Sequence, residues 1–354
     1  MRIWLALAAA LLVALAMTPP AIWLARKLNI VDMPNARKVH TTPTPRIGGI
    51  AIYLGFVAGA LLLGEYTRQV AAVLIAGSVV FLTGLIDDYK DISPKFKLIG
   101  QVAAALLLVA AGFSVRFISN PFTGSTVSLG FLSVPITVVW LVGVSNAVNL
   151  IDGMDGLAVG VSTIAAAATA IVCVSQGELV AAALAGVLAA SALGFLPWNF
   201  NPAKTFMGDC GALFLGFILG TLALMGLCKG ATAISVFIPF LILGIPVFDT
   251  FCAIIRRLFL HRPIFEADKM HLHQILLSLG LSQRQTVLTI YVFAMLMGLA
   301  AVLMAILTSA QAVMVLIITT VVTFAAAEVL GTLRGKCHLS PIRRNDRDAS
   351  QSTL

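Results

Sequence analysis

The stretch "LTGLIDDYKDIS", residues 82–93, ends seventeen uncharged residues (Val70 to Ile86) with three carboxylates, Asp87, Asp88 and Asp91. If the apolar run is a helix, its C-terminal end is partly negative, so acids there carry the wrong sign. They need a positive partner from elsewhere. Further acids follow. "NAVNLIDGMDGLA" holds Asn149, Asp152 and Asp155, "FNPAKTFMGDCGALFLG" holds Asp209, and Asp249 lies inside the apolar "ILGIPVFDTF". Carboxylates gathered in this way suit a hard cation, and oxygen ligands select magnesium, with manganese the alternative. Magnesium binds through one or two carboxylates together with substrate phosphates. The helices expected after Gly156 and Gly211 would turn positive N-terminal ends toward an anion. A metal-bound diphosphate is the ligand this chemistry describes.

Simpler roles compete for several of these residues. Asp155 and Asp209 each precede an expected helix, where aspartate is a favoured N-cap. Asp249 could pair with Arg256 two turns on, although an intramembrane acid is a functional suspect by default. Asp87 and Asp88 have no helix of their own to cap, and Lys90, Lys95 and Lys97 neutralise only part of the group. Neighbours on a helix point about 100° apart. The pair therefore reaches one pocket only if the helix end frays or the two acids differ in role.

The elements that must position these groups follow from composition. Of 354 residues, 60% are hydrophobic and 11% charged, against roughly 25% charged in soluble domains. The expectation is an all-α polytopic membrane protein, one domain over 1–333 followed by a basic, disordered cytoplasmic tail over 334–354. A span needs about 20 mostly apolar residues. Eleven such segments stand near 3–25, 47–64, 70–86, 98–113, 133–149, 157–175, 179–196, 211–228, 233–255, 285–307 and 312–333. Nineteen lysines and arginines fall on one set of loops and four on the other. That bias puts the N-terminus outside and the C-terminus in the cytoplasm, with the acids on the cytoplasmic face. The net charge of +8 is thereby a topology signal, and no nucleic acid is needed to explain it. On the outer side, alternation around "TGS" in residues 113–134 predicts a small periplasmic β-hairpin. The five cysteines show no CxxC or Cys/His spacing and specify no metal site.

Six stretches, read in order, carry a resemblance: "TPRIGG" (44–49), "GLIDDYKDISPKFKLIGQ" (84–101), "NAVNLIDGMDG" (146–156), "NPAKTFMGD" (201–209), "PVFDT" (246–250) and "HRPIFEADKMHLHQILLSLGLS" (261–282). The chain resembles the polyprenyl-phosphate N-acetylhexosamine-1-phosphate transferases, most like the branch that uses UDP-N-acetylglucosamine and undecaprenyl phosphate. The branch making the first peptidoglycan lipid is less similar. The resemblance implies an enzyme of the bacterial cytoplasmic membrane, working among membrane lipids with Mg2+. It would move a sugar 1-phosphate from a UDP-N-acetylhexosamine to undecaprenyl phosphate and release UMP. It allows a homodimer.

The same resemblance distributes roles. Asp209 and Asn149 become metal ligands, with Asn149 also contacting substrate; of the adjacent pair, Asp88 is expected nearer the metal and Asp87 beside the lipid phosphate. Asp152 and Asp155 complete the set of catalytic acids. Arg46, Lys97 and Asp249 contact substrate, and the loop from Arg256 to Ser282 closes over the nucleotide sugar through Arg262, His271 and His273. Two positions depart from the family pattern. Ala212 stands where serine is usual, and His271-Leu272-His273-Gln274 replaces the usual His-x-His-His. A proton-coupled transporter would hold its acids near the midplane, whereas these gather at one surface. An intramembrane prenyltransferase would need neither "MGDCG" nor the histidine loop.

Overall fold

The computed structural model describes residues 1–33, 43–119, 126–227, 237–259 and 271–339. Thirteen α-helices stand among the described residues: α1 (Arg2–Lys27), α2 (Gly49–Leu63), α3 (Arg68–Lys90), α4 (Pro94–Ala110), α5 (Ser133–Ile151), α6 (Leu157–Ser175), α7 (Leu179–Asn199), α8 (Gly208–Leu227), α9 (Phe237–Ile242), α10 (Gly244–Phe259), α11 (Leu272–Ser278), α12 (Gln283–Ile306) and α13 (Ser309–Leu339). The protein is an all-α integral membrane protein. Eight of these helices are long and apolar enough to cross a bilayer.

Helix starts follow local chemistry. The Thr67 hydroxyl accepts from Val70 N at the start of α3, Pro94 opens α4, and Ser282 with Gln285 forms a reciprocal capping box at α12. Packing follows small residues. The buried face of α1 is Ala6, Ala10, Ala14, Thr18, Ala21 and Ala25, and Gly55 and Gly59 of α2 lie directly against it. Lipid is as apolar as leucine, so helices in a bilayer associate by this close backbone approach. α8 is the central helix. Its spanning window is 83% buried, against 6% for α13, and Phe214 on α8 meets Tyr53, Phe56 and Phe81 edge-on.

Three expectations are altered. α2 and α4 are apolar but only 15 and 17 residues long. The span expected at 233–255 is divided into α9 and α10, because Gly244 and Pro246 begin a new helix, a position where proline needs no N–H partner. Finally, α13 continues past residue 333 to Leu339. The rest of the expected tail, 340–354, lies outside the described residues, as does Arg262. The expected hairpin is present, with Phe117–Ser119 paired antiparallel to Thr126–Ser128. A second pairing, Val31–Asp32 with Thr44–Pro45, is too short to leave any alternation in the sequence.

Candidate active site

The three acids at the end of α3 meet three different positive partners. The Asp87 carboxylate lies 2.6 Å from Lys97 Nζ on α4. Asp88 turns the other way. Its Oδ1 accepts from Asp209 N at 2.9 Å and its Oδ2 from Cys210 N at 3.0 Å, so it caps the first turn of α8 from a neighbouring helix. Asp91 pairs with Arg46 Nη2 at 2.8 Å. The Arg46 guanidinium also donates twice to the Asp88 carbonyl, at 2.7 and 3.1 Å, closing the C-terminal end of α3. Lysine, helix dipole and arginine thus supply the missing positive charge.

This arrangement depends on two glycines. Gly208 has φ +70, and a side chain there would collide with the Arg46 carbonyl and the Asp88 carboxylate. A Cβ at Gly84 would strike the Asp209 carbonyl and the backbone of Cys210, 2.5–2.6 Å away. Only bare backbone lets α3 come this close to the start of α8. The 44–49 segment is bound into the same corner: Phe206 N donates to Pro45 O, Gly48 N to Phe206 O and Gly49 N to Met207 O.

Asp209 stands at the centre. Lys97 Nζ lies 2.5 Å from its Oδ2, and Asn149 Nδ2 donates to its Oδ1 at 3.1 Å. Asp87, Asp209, Asn149 and Lys97 therefore converge from α3, α8, α5 and α4. It is Asp87, not Asp88, that stands with Asp209. Both Asp88 oxygens are engaged by backbone amides. Asp152 follows the last residue of α5, and among the described residues its carboxylate has no hydrogen bond or ion pair. Burial, then repulsion from Asp209, Asp88 and Asp155, pushes its pKa up to about 8.

Asp155 lies elsewhere than at the N-cap of α6, which is Gly156 in a left-handed conformation. Its Oδ2 accepts from Asn201 Nδ2 and from Ala203 N, both at 3.0 Å, and so holds the turn before α8. Residues that sequence reasoning missed complete this scaffold. Asn199 Oδ1 accepts from Gly156 N and its Nδ2 donates to Thr205 O. Tyr291 donates to Gly156 O, and Arg284 to Asn201 O. Single asparagines and a tyrosine at the ends of apolar runs give no periodic signal by which to find them.

Asp249, on α10, pairs with His271 rather than with Arg256. Its Oδ2 is 2.8 Å from His271 Nδ1, and its Oδ1 accepts from Leu272 N at 2.9 Å. His271 precedes α11 in an extended conformation. This brings its ring parallel to that of His273, with centroids 5.8 Å apart. A side chain at Gly153 would lie 3.1 Å from His273 Nε2, so this ring faces the Asp152 loop. Burial lowers the His273 pKa to about 4, against the pull of Asp249.

The glycosyl transferase family 4 profile matches residues 70–227, which hold Asp87, Asp88, Lys97, Asn149, Asp152, Asp155 and Asp209. A probable undecaprenyl-phosphate N-acetylglucosaminyl 1-phosphate transferase of Bacillus subtilis is 41% identical over 336 residues, 95% of this chain and 94% of the relative. The chain belongs to glycosyl transferase family 4. This transferase is also 37% identical to a decaprenyl-phosphate N-acetylglucosaminephosphotransferase of Mycobacterium tuberculosis, over 80% of the chain and 78% of the relative. Its likeness to a phospho-N-acetylmuramoyl-pentapeptide-transferase of Staphylococcus aureus, 36% identical, covers 52% of the chain and 63% of the relative. Membership removes the transporter and prenyltransferase readings. The transferase is a polyprenyl-phosphate phosphotransferase that carries its acids at helix ends.

Proposed function

We propose that the transferase moves N-acetylglucosamine 1-phosphate from UDP-N-acetylglucosamine to undecaprenyl phosphate at the cytoplasmic face of a bacterial inner membrane. The observation that carries this is end-to-end similarity to the Bacillus subtilis relative, together with the convergence of Asp87, Lys97, Asn149 and Asp209. The cytoplasmic face is supported by the lysine and arginine bias of the loops.

Magnesium, with manganese as its substitute, suits this corner. Lys97 Nζ already sits between two carboxylates at 2.5 and 2.6 Å, where positive charge is well accommodated. Among the described residues no three His, Cys, Asp or Glu side chains form a ready metal cage. Magnesium needs none, because one or two carboxylates suffice when phosphates supply the remaining oxygens. Asp209, Asp87 and the Asn149 amide would hold the ion, which would neutralise charge on the diphosphate. Asp88 enters this scheme through Asp209, whose backbone it fixes.

An oxygen of the lipid phosphate attacks the β-phosphorus of the UDP-sugar. The bond from that phosphorus to the oxygen bridging the two phosphates breaks, and UMP leaves with the electron pair. A phosphate monoester is already mostly ionised at neutral pH, so no aspartate need deprotonate it. Such transfer depends chiefly on positioning and charge neutralisation. Lys97 neutralises the incoming anions, and Asp152 completes the pocket wall. Asp155 holds the turn that carries the 205–209 segment. Arg46 fixes the end of α3.

The test is UMP release by purified protein in detergent, with magnesium and undecaprenyl phosphate. UMP should form from UDP-N-acetylglucosamine only when the lipid phosphate is present. Absence of release with every UDP-N-acetylhexosamine tried would end this reading.

A further inference from the structure

Asp249 and His271 form a buried titratable pair that the chemistry above does not use. Each side chain is 8% exposed, and the two join helix α10 to the start of α11. An ionised carboxylate can only accept hydrogen bonds. A carboxylate that accepts from Leu272 N and faces His271 Nδ1 at 2.8 Å takes a hydrogen from that nitrogen, and among the described residues Nε2 has no hydrogen-bond partner. The second oxygen is equally committed, since Oδ1 accepts from Leu272 N. Asp249 is thus poorly placed to bind substrate itself. The His271 ring lies parallel to His273, and His273 lies against Gly153, next to Asp152. A line of contacts runs from α10 to the loop of the acid cluster.

We propose that Asp249 is a positioning residue, which fixes the ring and tautomer of His271 so that Nε2 is presented to the nucleotide sugar. The proposal rests on the transferase reading for the identity of that ligand. Asparagine at this position separates the two jobs of the carboxylate. Its oxygen can still accept from Leu272 N, but its amide nitrogen would donate to Nδ1 and drive the ring proton to Nε2. The helix start is then kept while the tautomer is reversed.

Two measurements decide it. In kinetics, Asp249→Asn should raise KM for UDP-N-acetylglucosamine about tenfold or more, the worth of one charge-assisted hydrogen bond. KM for undecaprenyl phosphate should stay within about twofold, and the melting temperature in detergent should not move. In a His271→Gln background the same change should have no further effect. A second loss of equal size there, or a rise in the lipid KM instead, would show Asp249 acting on its own or at the lipid site and overturn the proposal. The other readout needs no substrate. With 15N-labelled histidine, the neutral His271 ring, identified by its loss in His271→Gln, should carry its proton on Nδ1. A neutral ring protonated on Nε2 in the unmodified protein overturns the proposal even if Asp249→Asn does not fold. Failure of wild-type UMP release leaves this spectrum intact, so the two readings fail separately.

Discussion

The two walls that meet where His273 faces Gly153 differ in how charge is balanced. On the wall made by α3, α4, α5 and α8, Asp87 and Asp209 share one lysine, and Asp152 has no partner among the described residues. On the wall made by α10 and α11, the one described acid is matched by a histidine and a backbone amide. Among the described residues, excess negative charge is therefore concentrated at the ends of α3, α5 and α8. A cation, or a cation with its diphosphate, should enter there. The walls also differ in rigidity of construction. The first is fixed by bare-backbone contacts at Gly84 and Gly208, the second by a seven-residue helix tied down at its first turn.

The largest effects should come from the acid wall. Asp209→Asn keeps the size of the side chain but removes its charge, and turnover should fall on the order of 10²–10³-fold, as when one preorganised electrostatic group is lost. The magnesium concentration for half-maximal activity should rise, and Asp87→Asn should follow in the same direction. Normal turnover of Asp209→Asn at limiting magnesium would break the comparison between the walls.

Asp88→Asn tests the difference between adjacent acids. Asparagine has one acceptor oxygen for the two amides of α8, so the 3% exposed site loses a charge-assisted bond. The cost should be about 2–3 kcal/mol, seen as a lower melting temperature. Turnover should drop because Asp209 is less well held, while the magnesium requirement stays within about twofold. A magnesium requirement raised as far as in Asp209→Asn would place Asp88 at the metal.

The end of α3 shows where sequence reasoning reaches its limit. The presence of a helix, the wrong sign of its acids and the need for positive charge were all legible from seventeen apolar residues followed by Asp87 and Asp88. The 100° separation also allowed the two to differ in role. That Asp88 caps α8 was not legible, because a cap from another helix leaves no spacing in the sequence. The same limit hid Asn199 and Tyr291, which hold Gly156 from α7 and α12. His271 and His273 illustrate the converse. A spacing of two forbids a common face within one helix, yet the extended backbone of His271 makes their rings parallel.

A smaller effect should appear in the pH dependence of stability. Asp152 has a folded pKa of about 8, against 3.8 for an ordinary aspartate. Between these values the folded protein holds a proton that the unfolded chain has lost. Stability from this group therefore falls as pH rises from about 4 to about 8. Asp152→Asn imitates the neutral carboxyl, so its melting temperature, without magnesium or substrate, should gain on the wild type across that window. A difference that does not grow with pH would mean the carboxylate is compensated, and the acid wall less overcharged than described.

The smallest effect belongs to the third acid of the opening stretch. Asp91 pairs with Arg46, but its side chain is 80% exposed, against 9% for Asp87. An exposed ion pair contributes about 0–1 kcal/mol, because water and salt screen it and two long side chains must be ordered. Arg46 would also keep its two bonds to the Asp88 carbonyl without Asp91. Asp91→Ala should accordingly shift the melting temperature by little, leave the magnesium requirement unchanged, and keep turnover within about threefold of the wild type. Arg46→Met should do more, since it uncovers the C-terminal end of α3 behind Asp87 and Asp88. If Asp91→Ala instead matches Asp87→Asn in turnover and magnesium dependence, exposure does not separate these acids. The negative wall would then extend to the protein surface.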